Sequence, residues 1–535
     1  MSVSPHRPNF QEAEGCQPAF SVLVSKNLLP LPSVPVQSSP EGIWLTDDLL
    51  FQYQRCQRRA FLELYGDPEQ RDPPSDYVAK LRQDSLAHRQ TVLREETAHR
   101  PQYPARDWTA GATATLALMQ QGVERIAEAV LLVELENGLR LVSCPNLLIK
   151  QPGQSIFGDW IYVPADIRLG KRPKMDYQIT VAFHAYVLTA VQGAWPETGW
   201  LFLRQRGAYA VNLTETVPRM QDILRDCIQT LLHPEEPEVF IAHNRCDLCQ
   251  WFNHCYELAQ IDTHLSLLPG VTPSRYTHLR ALELTTLEAL ASANPKQLEN
   301  LPGFGLQVAQ RLVKQAQAML YNQAIADASE PAELLLSLDE LPTAPIELYF
   351  DIEAAPEPSL IYLHGLLVVN RVTQTETFYP LLAQSTAEEE LIWRQFLDLV
   401  WRYADAPIFH FCPYEVQAVR RLGEVYNTPP ELVEPLMHRF IDLHERVTRV
   451  AILPVESYAL KPIARWLGFN WRDPDAGGAQ SICWFAQWME TGEQRYLDAI
   501  LRYNEDDCRA TYRIKDWLVQ FCQPTPHSSL RLMGG

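Results

Sequence analysis

No run of about 18 apolar residues occurs anywhere in the 535-residue sequence, so nothing in it is long enough to cross a bilayer as a helix. Basic residues are scarce: 46 Lys and Arg stand against 65 Asp and Glu, a formal net charge of −19 at pH 7. That deficit excludes a chain that coats nucleic acid by bulk attraction to phosphate, and any such contact must be local or bridged by metal. Eleven cysteines are too few for a disulfide scaffold at this length. Residues 1–20 lack a basic-then-apolar signal pattern, and the expected localisation is cytoplasmic. Tandem repeats are missing, and so is a GxxxxGK[ST] phosphate loop, which excludes a nucleotide-driven motor of that type within the sequence. What is present is an ordinary globular composition, 46% hydrophobic and 21% charged. At about 100–200 residues per domain, the length predicts roughly three domains.

Proline and serine in LLPLPSVPVQSSP mark residues 1–40 as an extended or disordered segment, and folding is expected to begin near Trp44. Thr46 with the acids Asp47 and Asp48 is a helix start, predicting a helix to Arg59 that carries Cys56. Three β-patterned stretches follow between 122 and 168, divided by turn signals at Asn137-Gly138 and Pro152-Gly153. A helix is expected over 177–191 and a strand pair around Gly207, making an α/β unit over 41–262. Residues 263–335 read as a helical region and linker, 336–522 as a second α/β unit, and 523–535 as a tail.

The most informative segment is IELYFDIE at 346–353, an apolar strand ending in Asp351-Ile352-Glu353. Side chains two apart on a strand face the same way, so two carboxylates meet at one spot, a costly pairing unless a divalent cation neutralises it. Glu415 follows a further strand pattern (APIFHF), and late in the unit Tyr503-Asn504-Glu505-Asp506-Asp507 places Tyr503 and Asp507 four apart on one helical face. This order of motifs resembles the DEDD superfamily of 3′–5′ exonucleases, on an RNase H-like α/β fold, in the subgroup with Tyr in its last motif. The resemblance implies Asp351, Glu353, Glu415 and Asp507 as ligands of two Mg²⁺ or Mn²⁺ ions, with Tyr503 orienting the attacking water. Glu415 departs from the family, which has Asp there, and the extra methylene shifts the carboxylate by about 1.5 Å. FIDLHE (Asp442) and ESYALKPIARWLGF resemble an uncharacterised bacterial branch of that superfamily, in which Lys461 is either a phosphate contact or a solvated lysine. The 346–522 segment holds 16 basic and 26 acidic residues, so without cations it would repel nucleic acid.

Cys246, Cys249 and Cys255 form CxxC followed by five residues and a third Cys, a spacing that gathers thiolates at one site. His254, His243 or the distant Cys56 can supply a fourth ligand. One early Cys and a late CxxCx5C resemble the 4Fe-4S staple of RecB-type nucleases; zinc is the alternative, since cysteine ligands alone do not choose the metal. The RecB resemblance implies a restriction-endonuclease-like α/β domain with a PD-(D/E)xK centre. Asn146 stands where that family has a metal-binding Asp, Asp166 holds the acid position, and Arg168 replaces Lys. Thr180 and His184 fall where the family often has Gln and Tyr. Losing a charge at the metal and a tunable amine implies a degenerate centre used for substrate binding.

Between the two units, Leu301-Pro302-Gly303-Phe304-Gly305 with its flanking helical stretches resembles a helix-hairpin-helix, a non-specific DNA-binding element. Gly303 and Gly305 permit a tight turn that offers amide N–H groups to phosphate, with Lys296, Arg311 and Lys314 nearby. The combined expectation is a multidomain α/β enzyme, a metal-dependent 3′–5′ exonuclease acting on nucleic acid, with DNA favoured over RNA. A helicase acting in trans is a possible partner, and no membrane contact is expected. The alternative is a non-catalytic nucleic-acid-binding scaffold or repair-complex subunit with both centres decayed.

Overall fold

Thr46 caps the first helix: its hydroxyl accepts the Leu49 N–H at 3.0 Å at the head of Asp47–Arg55. The helix does not continue to Arg59. In the computed structural model, which describes residues 43–523 apart from 136–137, 206, 233–234, 328–335, 338 and 356–359, Cys56 is extended (φ −162°, ψ 120°) and divides Asp47–Arg55 from a second helix, Gln57–Tyr65. The Cys56 thiol accepts the Arg59 N–H at 3.4 Å, so this cysteine caps a helix and does not ride on one. The segment expected to be extended at 1–40, the tail past 523, Asn137 and most of the linker before 336 lie outside the described residues.

Two compact units divide the chain: Met1–Val239 with His243–His254, and Phe240–Ala242 with Cys255–Gly535. In the first, β1 (Trp44–Thr46) lies parallel to β4 (Arg140–Ser143), which pairs with β3 (Leu131–Glu134) in a small sheet. A five-stranded sheet has the order β2-β5-β6-β7-β8, formed by Arg125–Ala127, Leu147–Ser155, Gly158–Arg168, Thr198–Leu203 and Gly207–Asn212. The parallel pair β6 and β7 is joined through the helix Met175–Gln192, whose largely buried residues pack in the core beside Leu148, Tyr162 and Leu201. No turn forms at Pro152-Gly153. β5 runs through both residues, and Pro152 sits at a register irregularity, where a ladder without its N–H is tolerated. The turn comes at Ile156-Phe157, closed by Ser155 Oγ, which donates to Trp160 O at 2.6 Å and accepts the Phe157 N–H at 3.1 Å.

The second unit opens with helices Pro273–Ala281, Leu287–Ala291, Pro295–Leu298 and Leu306–Tyr321 around a core of Leu279, Leu290, Phe304 and Leu312. β9 (Ile325–Ala326) then pairs with β15 (Ala451–Ile452). The main sheet has the order β12-β11-β10-β13-β14, from Thr375–Leu382, Leu360–Asn370, Ile346–Ala355, Ile408–His410 and Phe440–Asp442. β10, β11 and β12 form an antiparallel meander; β13 and β14 continue parallel to β10. Alternation along β10 sorts its residues. Leu348, Phe350 and Ile352 enter a core with Trp393 and Phe396, while Tyr349 packs on the other side with Ile514 and Leu518 of the terminal helix Gln494–Phe521. Asp351 and Glu353 share the parity of Tyr349 and therefore lie under that helix.

His364, on β11 opposite Ile352, is fully buried among Phe350, Trp393 and Phe396, and neither ring nitrogen has a hydrogen-bond partner. Burial, with the nearby charge of Arg421, pushes its pKa down from 6.5 to about 3. Between those values the unfolded chain binds a proton at His364 that the folded chain refuses, so the His364 contribution to stability falls as pH drops from about 6.5 towards 3, by about 1.4 kcal/mol per pH unit. Thermal unfolding at pH 4 and pH 7 checks this. The acid-induced loss is expected to be smaller in His364→Leu than in wild type, and an unchanged loss would contradict the assignment.

Candidate active site

Asp351 and Glu353 reach the site from the end of β10, and Asp507 reaches it from the terminal helix. Ligand atoms of the three lie within 4.8 Å of one another, the group among the described residues with metal-binding geometry. Glu353 and Asp507 are buried and Asp351 is partly exposed. Desolvation, followed by the charges of Asp507, Glu353 and Glu415, raises Asp351 well above the usual carboxylate range. Burial and Asp507 push Glu353 up to about 8, and burial pushes Asp507 up to about 7. Three acids in mutual repulsion are what a divalent cation relieves, so the donor set fits Mg²⁺ or Mn²⁺.

Glu415 lies outside the 4.8 Å group, at the start of the helix Tyr414–Val425, near enough for its charge to act on Asp351. It is 5% exposed, and burial raises its pKa. His410 Nδ1 stands 3.4 Å from Glu415 Oε2 but is engaged by Cys412 O at 2.7 Å, which leaves that carboxylate oxygen without a hydrogen-bond partner. An orphaned buried carboxylate oxygen beside the triad is consistent with a further ligand. Asp442 acts locally, its Oδ1 accepting from Cys412 N, His444 N and Glu445 N at a helix start.

Tyr503 sits one helical turn before Asp507, 7% exposed, and burial together with the neighbouring carboxylates holds its phenol far above 10. It stays protonated and serves as a donor. Lys461 Nζ lies 5.0 Å from the Tyr503 ring centroid and 5.3 Å from that of Trp471, and bonds Ala476 O. Desolvation lowers its pKa against the opposing pull of Asp507 and Glu353. Several participants were not singled out by the sequence reading. Trp471 Nε1 donates to Asp507 Oδ1 at 2.6 Å, Asn504 Nδ2 donates to Asp351 Oδ2 at 2.7 Å, and Tyr362 and Ser481 hydrogen-bond Glu353. Only Asn504 adjoins a motif; the others are far apart in sequence and carried no spacing signal.

In the first unit, Asn146, Asp166 and Arg168 do come together, in a closed arrangement. Arg168 Nη2 and Nε hold Asp166 Oδ2 at 2.6 and 3.0 Å, His184 Nε2 lies 3.4 Å from Asp166 Oδ1, and Asn146 Oδ1 accepts the Ile167 N–H at 2.8 Å. Burial favours a protonated Asp166, but Arg168 and His184 override it and hold the carboxyl well below its usual range. His184 Nδ1 meets Ser143 Oγ at 2.7 Å, and Thr180 Oγ1 donates to Asp176 O.

The segment holding Cys246 and Cys249 is pinned to Glu63 of the helix Gln57–Tyr65 and to Asp72 in the loop beyond it. Asp72 Oδ1 and Oδ2 accept from Asn253, Gln250 Nε2 donates to Asp72 O, and Trp251 Nε1 donates to Glu63 at 3.3 Å. Cys249 N donates to Cys246 O at 2.8 Å, and Cys249 lies near enough to Cys56 for that thiol, after burial, to help raise its pKa. Cys255 begins the stretch assigned to the second unit, and the side chain of His243 lies outside the described residues.

The hairpin turn at 301–305 has Gly303 and Gly305 at φ +80° and +76°, and the helix Leu306–Tyr321 starts without a side-chain cap. Lys296 is exposed. Arg311 and Lys314 do not stand free at the turn: both pair with Asp327, at 2.8 and 3.1 Å, and Arg311 also donates to Thr448 O. A second turn, Leu268-Pro269-Gly270, repeats the Leu-Pro-Gly triplet of 301–303, with Gly270 at φ +90°. Arg275 joins the two, donating to Gly270 O at 2.7 Å and Gly303 O at 2.9 Å. Here the helix is self-capped, Thr272 Oγ1 accepting the Arg275 N–H.

Comparison with known families agrees with this layout. The RNase H superfamily profile matches residues 348–519, and the SAM-like tandem helix-hairpin-helix profile matches 262–318. The second match covers both turns, where the sequence reading found one. No curated protein matches the chain. The protein is thus a mixed α/β multidomain chain with a helix-hairpin-helix region and an RNase H-like C-terminal domain, features that support a nucleic-acid-binding phosphodiester hydrolase. Among the described residues no helix is long and apolar enough to cross a membrane.

Proposed function

We propose that the C-terminal domain is a metal-dependent 3′–5′ exonuclease acting on DNA or RNA by a two-metal mechanism. The observation that carries the reading is the convergence of Asp351, Glu353 and Asp507 within 4.8 Å, beneath the helix that also bears Tyr503. With Glu415, these acids would hold Mg²⁺ or Mn²⁺, which supplies Lewis-acid charge to the reacting phosphate. The chain's own groups do the rest. Tyr503, whose hydroxyl donates to Asp507, orients a water through its oxygen lone pairs. Trp471 fixes the rotamer of Asp507. Lys461, half-buried beside Tyr503, is the cation placed to meet a phosphate oxygen. The hairpin amides at Gly303 and Gly305, with Lys296, hold the backbone of the substrate.

The first unit reads as a RecB-like domain with a degenerate centre. Supporting this, Arg168 already pairs with Asp166 through two nitrogens, and Asn146 is engaged by the backbone, so a divalent ion has little to compensate there. Incubating single- and double-stranded DNA and RNA with Mg²⁺ or Mn²⁺, then with EDTA, tests the proposal. Trimming that stops with the chelator is expected; intact substrate in every case would favour the scaffold reading.

The thiols carry a separate proposal, a 4Fe-4S cluster on Cys56, Cys246, Cys249 and Cys255, supported by the proximity of Cys56 and Cys249. Anaerobically prepared protein should be brown and lose that colour in Cys249→Ser. A colourless protein with stoichiometric zinc would refute iron.

A further inference from the structure

Strand β11 is an almost unbroken apolar run interrupted by Gly365, a residue that weakens a buried strand unless something needs the space. Here something does. A Cβ on residue 365 would fall 1.6 Å from Asn504 Oδ1 and 2.7 Å from its Cγ, so only glycine admits that amide. In the sheet register Gly365 is the direct partner of Asp351. Asn504 thus descends from the terminal helix into the slot beside Asp351, fully buried, and its Nδ2 donates to Asp351 Oδ2 at 2.7 Å. Cys508, one turn further along, donates its thiol to Gly365 O at 3.5 Å and ties the helix to the same point.

The other half of the amide shows that packing alone does not explain the residue. Asn504 Oδ1 has no hydrogen-bond partner, and an unmet buried acceptor costs about 1–3 kcal/mol. An apolar side chain of similar shape would avoid that cost. Asn504 leaves its carbonyl unmet while its amide nitrogen holds one carboxylate oxygen of Asp351. We propose that Asn504 is a positioning residue for the metal site: it fixes Asp351 through Oδ2, leaving the other carboxylate oxygen for the cation, and Gly365 is the slot that makes this possible. The inference rests on the metal reading above. It also explains why the last motif delivers three groups from one helical turn: Tyr503 to the water, Asn504 to Asp351, Asp507 to the cation.

The test uses full-length protein and Mn²⁺ alone, without substrate, with free Mn²⁺ followed by electron paramagnetic resonance and unfolding followed in chelator. Asn504→Leu and Asn504→Ala should each weaken Mn²⁺ binding about 10–100-fold. In chelator, Asn504→Leu sheds an unpartnered carbonyl and also deprives Asp351 Oδ2 of its donor, offsetting changes that should leave the variant folded and melting close to wild type. Gly365→Ala, which alters no site side chain chemically but pushes Asn504 out of its slot, should weaken binding comparably. Wild-type affinity in folded Asn504→Leu would overturn the proposal while leaving the metal site intact. If wild type binds Mn²⁺ no better than Asp351→Asn does, the metal reading fails first and this inference with it.

Discussion

Asp351→Asn and Asp507→Asn should each lower the rate of phosphodiester cleavage by about 10³-fold or more, whatever the nucleic acid. Each substitution removes one formal charge from a three-carboxylate group whose atoms lie within 4.8 Å. Metal stabilisation of a phosphoryl transition state is worth several kcal/mol, and each 1.36 kcal/mol is tenfold in rate. Neither change should unfold the domain. Burial raises the pKa of both acids, and the charge of Asp507 raises Asp351 further, so an amide of the same shape relieves a cost carried in the metal-free state. The variants should therefore melt at or above the wild-type temperature in chelator while losing activity. Cleavage that survives in both would place the chemistry elsewhere. In the first unit, Asp166 is already paired with Arg168.

Removing Glu347 is expected to be the most destabilising single change in the C-terminal domain. Glu347 lies on the same face of β10 as Asp351, is fully buried, and receives Lys515 Nζ at 2.5 Å, Arg371 Nε at 2.7 Å and the Tyr349 hydroxyl at 2.7 Å. Lys515 is 2% exposed. Burial alone would raise the Glu347 pKa, but Lys515, Tyr349 and Arg371 hold it below the usual value. Glu347→Ala leaves a buried ammonium unpaired, at about 3–5 kcal/mol. For a domain of this size that is a fall in unfolding temperature of roughly 10 °C. Arg371 keeps Asp516 at 2.5 Å, so Glu347→Leu combined with Lys515→Met should recover most of the loss. A single variant that melts within a degree or two of wild type would show that the ion pair does not hold the helix to the strand.

How much was readable in advance depends on the range of the signal. Asp351-Ile352-Glu353 and Tyr503 to Asp507 were visible because strand and helix periods put each pair on one face, and the comparisons place both segments inside one RNase H-like region. Gly303 and Gly305 were visible for a similar local reason. The sequence reading missed the hairpin at Gly270, although Leu-Pro-Gly occurs twice, because Thr272 replaces the second glycine. Asn504 and Gly365 could not be paired from sequence, since their relation depends on strand register and helix docking 139 positions apart. The same holds for Trp471 and for Glu347 with Lys515. Cys56 was read as lying within a helix because apolar periodicity continues through it, whereas the backbone breaks there and the sulfur caps the helix Gln57–Tyr65. Arg311 and Lys314 look available in sequence, yet Asp327 claims both.

The most direct test of the exonuclease reading is a time course on a single-stranded oligonucleotide labelled at its 5′ end, with Mg²⁺ or Mn²⁺, for wild type and the Asp351→Asn/Asp507→Asn double variant. The account predicts a ladder of labelled products shortening by single nucleotides from the 3′ end in wild type and intact substrate in the double variant. Internal fragments, release of label from the 5′ end, or an undiminished ladder in the double variant would contradict it.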